Sequence, residues 1–312
     1  MSSARLAEVG VVVIHGMGDP APDFAAPLID GLSRQLGGDS AAIAFEPCLW
    51  SDILQESENE IWRRLQSAPT PMHLGLLRKW VVGTLGDPTG YLSGYEQRGT
   101  PVLHKVHDRF AQSLAAVENR LRDPARAALV VLAHSLGGVV VTNYLWNIER
   151  AAGEVGSFTG AVSTIHEGLR ALARRPTGDT PFQRLETLTG LVTFGCNIPL
   201  FLPPSLPYEC VRFPRPALPV HLQQAARWLN VYDPYDILGY PLNDIWDEKH
   251  GTTIGDVALE VGMPGISMTP LWHSRYWTDG GFQSIVVREL RRVLAAAPPV
   301  GLGGLAAPGS AR

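Results

Sequence analysis

A serine stands at the centre of Ala133-His134-Ser135-Leu136-Gly137-Gly138, between the apolar run Leu129-Val130-Val131-Leu132 and a helical pattern through Leu145. A hydroxyl lifted clear of a sheet by a sharp strand-to-helix turn is the nucleophile geometry of acyl transfer. Such a turn strains its apex residue and brings flanking backbone close. Small residues two before and two after the apex, here Ala133 and Gly137, answer that need. The turn also leaves the Leu136 N–H at a helix N-terminus, where free donors and the helix dipole favour a developing anion. A serine acting only as a helix cap would account for the hydroxyl, but not for small residues on both sides of it.

An oxyanion needs a second donor. In this geometry it comes from the loop after an early strand. The run Val11-Val12-Val13-Ile14 ends in His15-Gly16-Met17-Gly18, whose glycines allow a turn and a close approach. The Met17 N–H is the expected partner of the Leu136 N–H. Losing one donor of this kind costs about 3–4 kcal/mol of transition-state stabilisation. His15 precedes the nucleophile and ends a strand, so it is expected to support the loop rather than act as base. The loop lacks both the G-x-G-x-x-G spacing and a Lys-Ser/Thr pair, which argues against a phosphate cradle.

A serine nucleophile needs a base and a carboxylate to orient it, in the chain order Ser, Asp or Glu, His. After Ser135, the run ending Val231-Tyr232-Asp233-Pro234-Tyr235-Asp236-Ile237-Leu238 offers two aspartates. Asp233 precedes a proline and is suited to opening a turn. Asp236, followed by apolar residues, better suits a partly desolvated carboxylate and is preferred as the acid, with Asp233 as the alternative. His250 lies in a charged stretch. His273 lies just ahead of the last helical pattern and is the expected base. His134 is expected to diverge from its neighbour Ser135 and to serve packing or hydrogen bonding.

The elements that must position these groups are legible as buried strands at Val9–Ile14, 129–133, 188–193 and 227–231, separated by helical patterns at 27–36, 106–121, 138–151 and 282–295. Continuous rather than alternating apolar runs fit a sheet covered on both faces. Strand–helix alternation implies a doubly wound, mostly parallel α/β sheet, which gathers chemistry at its strands' carboxyl ends. Residues 1–297 are expected to form one domain. Two stretches break the alternation: 48–99, with an amphipathic piece at 52–65, and the proline-rich 198–219. Both are read as insertions able to act as a lid or pocket wall. The tail 298–312, mostly Gly, Ala and Pro, is expected to be disordered.

Composition narrows the partners. Of 312 residues, 45% are hydrophobic, enough for a sizeable core. The net charge is -4, so nothing favours gripping a phosphate backbone. Cys48, Cys196 and Cys210 are too few and too scattered for a disulfide framework or a zinc site. The segment Val9–Ile14 reads as a strand rather than a signal peptide. No apolar stretch is long enough to span a bilayer. A cytoplasmic protein without integral membrane contact, metal or organic cofactor is expected.

The elbow is similar to the A-H-S-x-G-G elbow of bacterial lipases, and the chain resembles the α/β-hydrolase superfamily from Val9 to Leu294. Val192-Thr193-Phe194-Gly195, Asn230 to Asp236, and His273-Ser274-Arg275-Tyr276-Trp277 resemble the later core strands and final His loop of hydrolases related to lipases and to the inositol-deacylase type. The resemblance implies an α/β-hydrolase fold and a serine hydrolase acting through Ser135, Asp236 and His273. Aromatic and leucine residues in the insertions suggest a small-molecule ester with an apolar acyl group, hence a carboxylesterase or lipase. The fold also hosts thioesterases, amidases and binding proteins, which stand as alternatives.

Overall fold

The computed structural model describes residues 6–66, 91, 96–97, 100–151, 178–202, 208–261 and 273–297. Most of the 48–99 stretch beyond residue 66, residues 203–207 of the proline-rich stretch and the tail 298–312 lie outside the described residues, and with them much of what was expected to serve as a lid.

Six strands form one open sheet, all parallel, in the order β2-β1-β5-β6-β7-β8. They are β1 (Val9–Ile14), β2 (Ile43–Cys48), β5 (Ala128–His134), β6 (Leu188–Phe194), β7 (Arg227–Tyr232) and β8 (Ile254–Ala258). Two-residue strands β3 (Glu96–Gln97) and β4 (Thr100–Pro101) pair apart from it. This is an α/β architecture, and all four strands read from apolar runs are present.

The reason is visible in β5, where all seven residues are buried. Leu129, Val131 and Ala133 face one core cluster, whereas Ala128, Val130 and Leu132 face the other. Each face is therefore apolar. Helices Val102–Glu118 and Leu136–Ala151 contribute to the first core; Ala26–Leu36 and Gly280–Ala296 contribute to the second. Fully burying a Val or Leu side chain is worth about 1.5–3 kcal/mol, so a strand of this kind is stable only when covered twice.

In the six-stranded sheet, both strands missed by the apolar-run criterion are at its edges. β2 carries Glu46 and Pro47, and β8 carries Gly255 and Asp256. An edge strand tolerates proline because one row of its backbone groups needs no ladder partner. The helix expected at 106–121 begins instead at Val102, directly after Pro101, and ends at Glu118.

The two irregular stretches are partly described. Trp50 is fully buried and is followed by the helix Asp52–Gln66. Downstream, Cys210, Val211, Phe213 and Leu218 are buried. The Arg212 N–H donates to Glu149 Oε1 at 2.7 Å, and the Phe213 N–H to Thr252 Oγ1 at 2.8 Å. Residues 208–219 are thus strapped into the core. Among the described residues no helix is long and apolar enough to cross a membrane.

Candidate active site

The carboxyl ends of β1, β5, β6 and β7 converge on one region, and its geometry begins at Ser135. This residue has φ +52° and no exposed surface. A non-glycine residue in the left-handed region is uncommon, costs about 1–3 kcal/mol and persists only where its surroundings over-determine it. Here they do. The Ser135 N–H donates to Phe194 O at 3.0 Å, and the Gly138 N–H to Ser135 O at 3.0 Å. The turn is thereby pinned to β6 on one side and to the helix Leu136–Ala151 on the other.

The glycines after the elbow answer to neighbouring strands. A Cβ at Gly137 would stand 2.7 Å from His15 O and 3.0 Å from Ile14 O. A Cβ at Gly138 would stand 2.5 Å from Cys196 Sγ. Smallness at Gly137 is therefore demanded by the end of β1 rather than by Ala133. The Cys196 thiol it exposes to contact is itself buried, which pushes its pKa up to about 12 and keeps it protonated.

The loop after β1 presses on the serine from above. A Cβ at Gly16 would fall 2.4 Å from Ser135 Cβ and 2.9 Å from its Oγ, so only glycine fits there. His15 holds this loop. Its Nδ1–H donates to Gly16 O at 2.7 Å, and its Nε2 accepts the Trp50 N–H at 3.0 Å. The Trp50 indole N–H returns a bond to His15 O at 3.0 Å, and the two rings stack at 5.1 Å. Burial of the ring lowers the His15 pKa from the ordinary 6.5 to about 4, against the opposing effect of the bond to Gly16 O. Met17, the next residue but one, is half-buried at the same mouth. Leu136 is fully buried as the first residue of its helix, where main-chain N–H groups have no intrahelical partner.

Asp236 and His273 lie together. His273 Nδ1–H donates to Asp236 Oδ2 at 2.8 Å, and Asp236 is buried. The Tyr276 hydroxyl also donates to Oδ2, at 3.2 Å, while the Leu238 N–H donates to Oδ1 at 3.0 Å. Burial and the two nearby aspartates raise the Tyr276 pKa, so its hydroxyl stays a donor. Gly195, at φ +52°, lies beneath the pair. A Cβ there would meet Tyr276 Cε2 at 2.9 Å, His273 Cε1 at 3.1 Å and Asp236 Oδ2 at 3.3 Å. The bond to the carboxylate fixes the proton on Nδ1, leaving His273 Nε2 as the basic nitrogen. That atom is buried and has no hydrogen-bond partner among the described residues.

Asp233 occupies a different role. Its Oδ1 accepts the Tyr235 N–H at 2.8 Å and its Oδ2 the Val261 N–H at 2.9 Å, so its carboxylate braces the turn after β7. His250 is remote from this cluster in its bonding, with Nε2 3.8 Å from Glu209 Oε2. His134 turns toward the His273 loop. Its Nε2–H donates to His273 O at 2.9 Å, and the ring centroids are 4.6 Å apart. Burial and the neighbouring His273 ring hold the His134 pKa well below 6.5.

One polar residue at the site carried no signal in the sequence. Asn197, just beyond β6, is fully buried, and its Nδ2 donates to Ser135 Oγ at 3.4 Å. An asparagine after Gly195-Cys196 acquires meaning only once β6 is known to lie beside β5. Tyr276 was visible only as part of a motif, with no role attached. Among the described residues no group of three or more His, Cys, Asp or Glu could hold a metal ion. Comparison with protein-family models finds no match, and a search of curated proteins finds none either.

Proposed function

We propose that the protein is a serine hydrolase of the α/β-hydrolase type that cleaves carboxylic esters, as a carboxylesterase or lipase. One observation carries this reading: a half-buried imidazole has its Nδ1–H committed to a buried carboxylate and its Nε2 unpartnered among the described residues, at the same carboxyl end of the sheet as a serine held at positive φ on a strand-to-helix turn.

In the proposed reaction Ser135 Oγ attacks the ester carbonyl and His273 Nε2 accepts its proton. Asp236 keeps His273 in the required tautomer and stabilises the imidazolium. The Met17 and Leu136 N–H groups receive the oxyanion. The tetrahedral intermediate collapses to an acyl-Ser135, His273 returns the proton to the leaving alcohol, and water repeats the sequence to release the acid. In the resting arrangement Ser135 Oγ is bonded to Asn197, not to His273 Nε2; such contacts commonly tighten only when substrate arrives. Apolar residues near the site, including the exposed Leu200, Tyr235 and Ile237, favour an apolar acyl group.

The test is covalent. A fluorophosphonate probe should label the wild type and not Ser135→Ala, and p-nitrophenyl esters of rising chain length should report the acyl preference. An unlabelled wild type, or label retained in Ser135→Ala, rejects the reading.

A further inference from the structure

We infer that Asn197 supplies a third, side-chain donor to the oxyanion hole. This rests on Ser135 acting as an acyl-transfer nucleophile, as proposed above.

The placement is specific. Asn197 Nδ2 contacts both Ser135 Oγ, at 3.4 Å, and Met17 Sδ, at 3.9 Å. A thioether sulfur only accepts, so it selects the nitrogen end of the amide for the face toward Ser135. Met17 also belongs to the loop whose N–H is assigned to the oxyanion. The amide therefore approaches the nucleophile from the oxyanion side.

The resting bond is poor. Good N–H···O bonds cluster near 2.9–3.0 Å, and the longer contact to Ser135 Oγ is weak by that measure. Asn197 Oδ1 is buried with no hydrogen-bond partner among the described residues. A fully buried amide this weakly engaged is one kept for a better acceptor. When the ester carbonyl carbon bonds Oγ, the new oxyanion shares that carbon with Oγ and moves within reach of the same Nδ2–H. A bond to an anionic oxygen is roughly twice as strong as a neutral one, so Asn197 favours the tetrahedral state over the bound ester. The backbone is already fixed for this task. Asn197 O accepts the Leu200 N–H at 3.0 Å, and Cys196 O accepts the Tyr240 N–H at 3.0 Å.

Asn197→Ala and the isosteric Asn197→Asp should be compared with wild type on p-nitrophenyl butyrate and on a trifluoromethyl ketone bearing the same acyl chain, which adds Ser135 to form an anionic hemiketal. Asn197→Ala should lower kcat by roughly 10²-fold or more, with KM changed less than about threefold. The ketone should lose affinity by the same factor as kcat/KM. Asn197→Asp, which sets a carboxylate against the oxyanion, should lose at least as much, and it carries the test if the alanine variant does not fold. A kcat within about threefold of wild type, or a fall in kcat with ketone affinity unchanged, overturns the role of Asn197 while leaving the hydrolase reading intact. A wild type that hydrolyses no ester and takes no fluorophosphonate overturns both.

Discussion

The Nε2–H of His134 donates to the main-chain carbonyl of His273 at 2.9 Å, so the residue before Ser135 holds the loop that carries His273, the proposed base. The bond spans 139 residues of sequence and is backed by ring contacts of His134 with Phe194 and Trp277. It couples the elbow to the position of the His273 ring without touching the reacting atoms.

On the proposed mechanism His134 is therefore a positioning residue. His134→Ala should lower kcat by roughly 10-fold to 10²-fold with KM little changed, because small displacements of a catalytic base are costly. His134→Asn, which keeps a side-chain N–H, should recover part of the loss. Equal kcat values for wild type and the alanine variant would show that the His273 loop holds itself.

The two aspartates should separate cleanly. Asp236→Asn presents an amide to His273 Nδ1 and favours the wrong tautomer, an exchange expected to reduce kcat by about 10⁴-fold. Asp233→Asn instead sets an amide NH₂ against one of the two backbone N–H groups its carboxylate now accepts. It should cost about 1–3 kcal/mol of stability and leave kcat largely intact. Steady-state kinetics and urea midpoints on both variants decide the matter, and a collapse of kcat confined to Asp233→Asn would reverse the assignment.

Tyr276→Phe keeps the ring packed on Phe194 and Phe282 but removes an oxygen that accepts the Asp233 N–H at 2.8 Å and donates to Asp236. The orphaned N–H is buried, so stability should fall by about 1–3 kcal/mol, visible as a lower denaturant midpoint at unchanged m-value. His273 retains its own bond to Asp236, so kcat should fall less than about tenfold.

Buried neutral histidines make stability pH-dependent. His15 takes a proton at about pH 4 when folded and at about 6.5 when unfolded. Between those values the unfolded chain binds more protons, so stability rises with pH. The contribution, about 3 kcal/mol for His15, is complete above pH 6.5 and is lost as pH falls toward 4. His107, lowered to about 3, and His134 act in the same direction. Urea midpoints taken from pH 7.5 down to 5 should decline, and His15→Gln should flatten the decline. An identical slope in the variant would mean that His15 contributes nothing to it.

Interior strands were legible because double coverage demands unbroken apolar runs, as in Ala128–His134 and Leu188–Phe194. The edges were not. Glu46, Pro47, Gly255 and Asp256 look like turn or loop residues until the sheet ends beside them. At the site, the small residues around Ser135 announced a tight turn, but the atoms they make room for, His15 O and Cys196 Sγ, belong to the loops that follow β1 and β6. Asp233 and Asp236 differ by one turn of loop, and only the direction in which each carboxylate faces distinguishes a brace from a partner of His273. Asn197 left no trace in sequence, since its significance lies in a neighbour 62 residues away.

The sheet order β2-β1-β5-β6-β7-β8 joins its strands without a single hairpin, so every pairing in it closes a long loop before any contact is gained. Parallel pairings of this kind form slowly. Ser135, Asn197 and Asp236 follow three adjacent strands, β5, β6 and β7, and become neighbours only when those strands are in register. The cluster thus has no local precursor: a nascent chain released as far as the elbow would carry the serine and the loop after β1 but neither Asn197 nor the Asp236–His273 pair, and on the proposed mechanism it stays chemically silent until its last third is made.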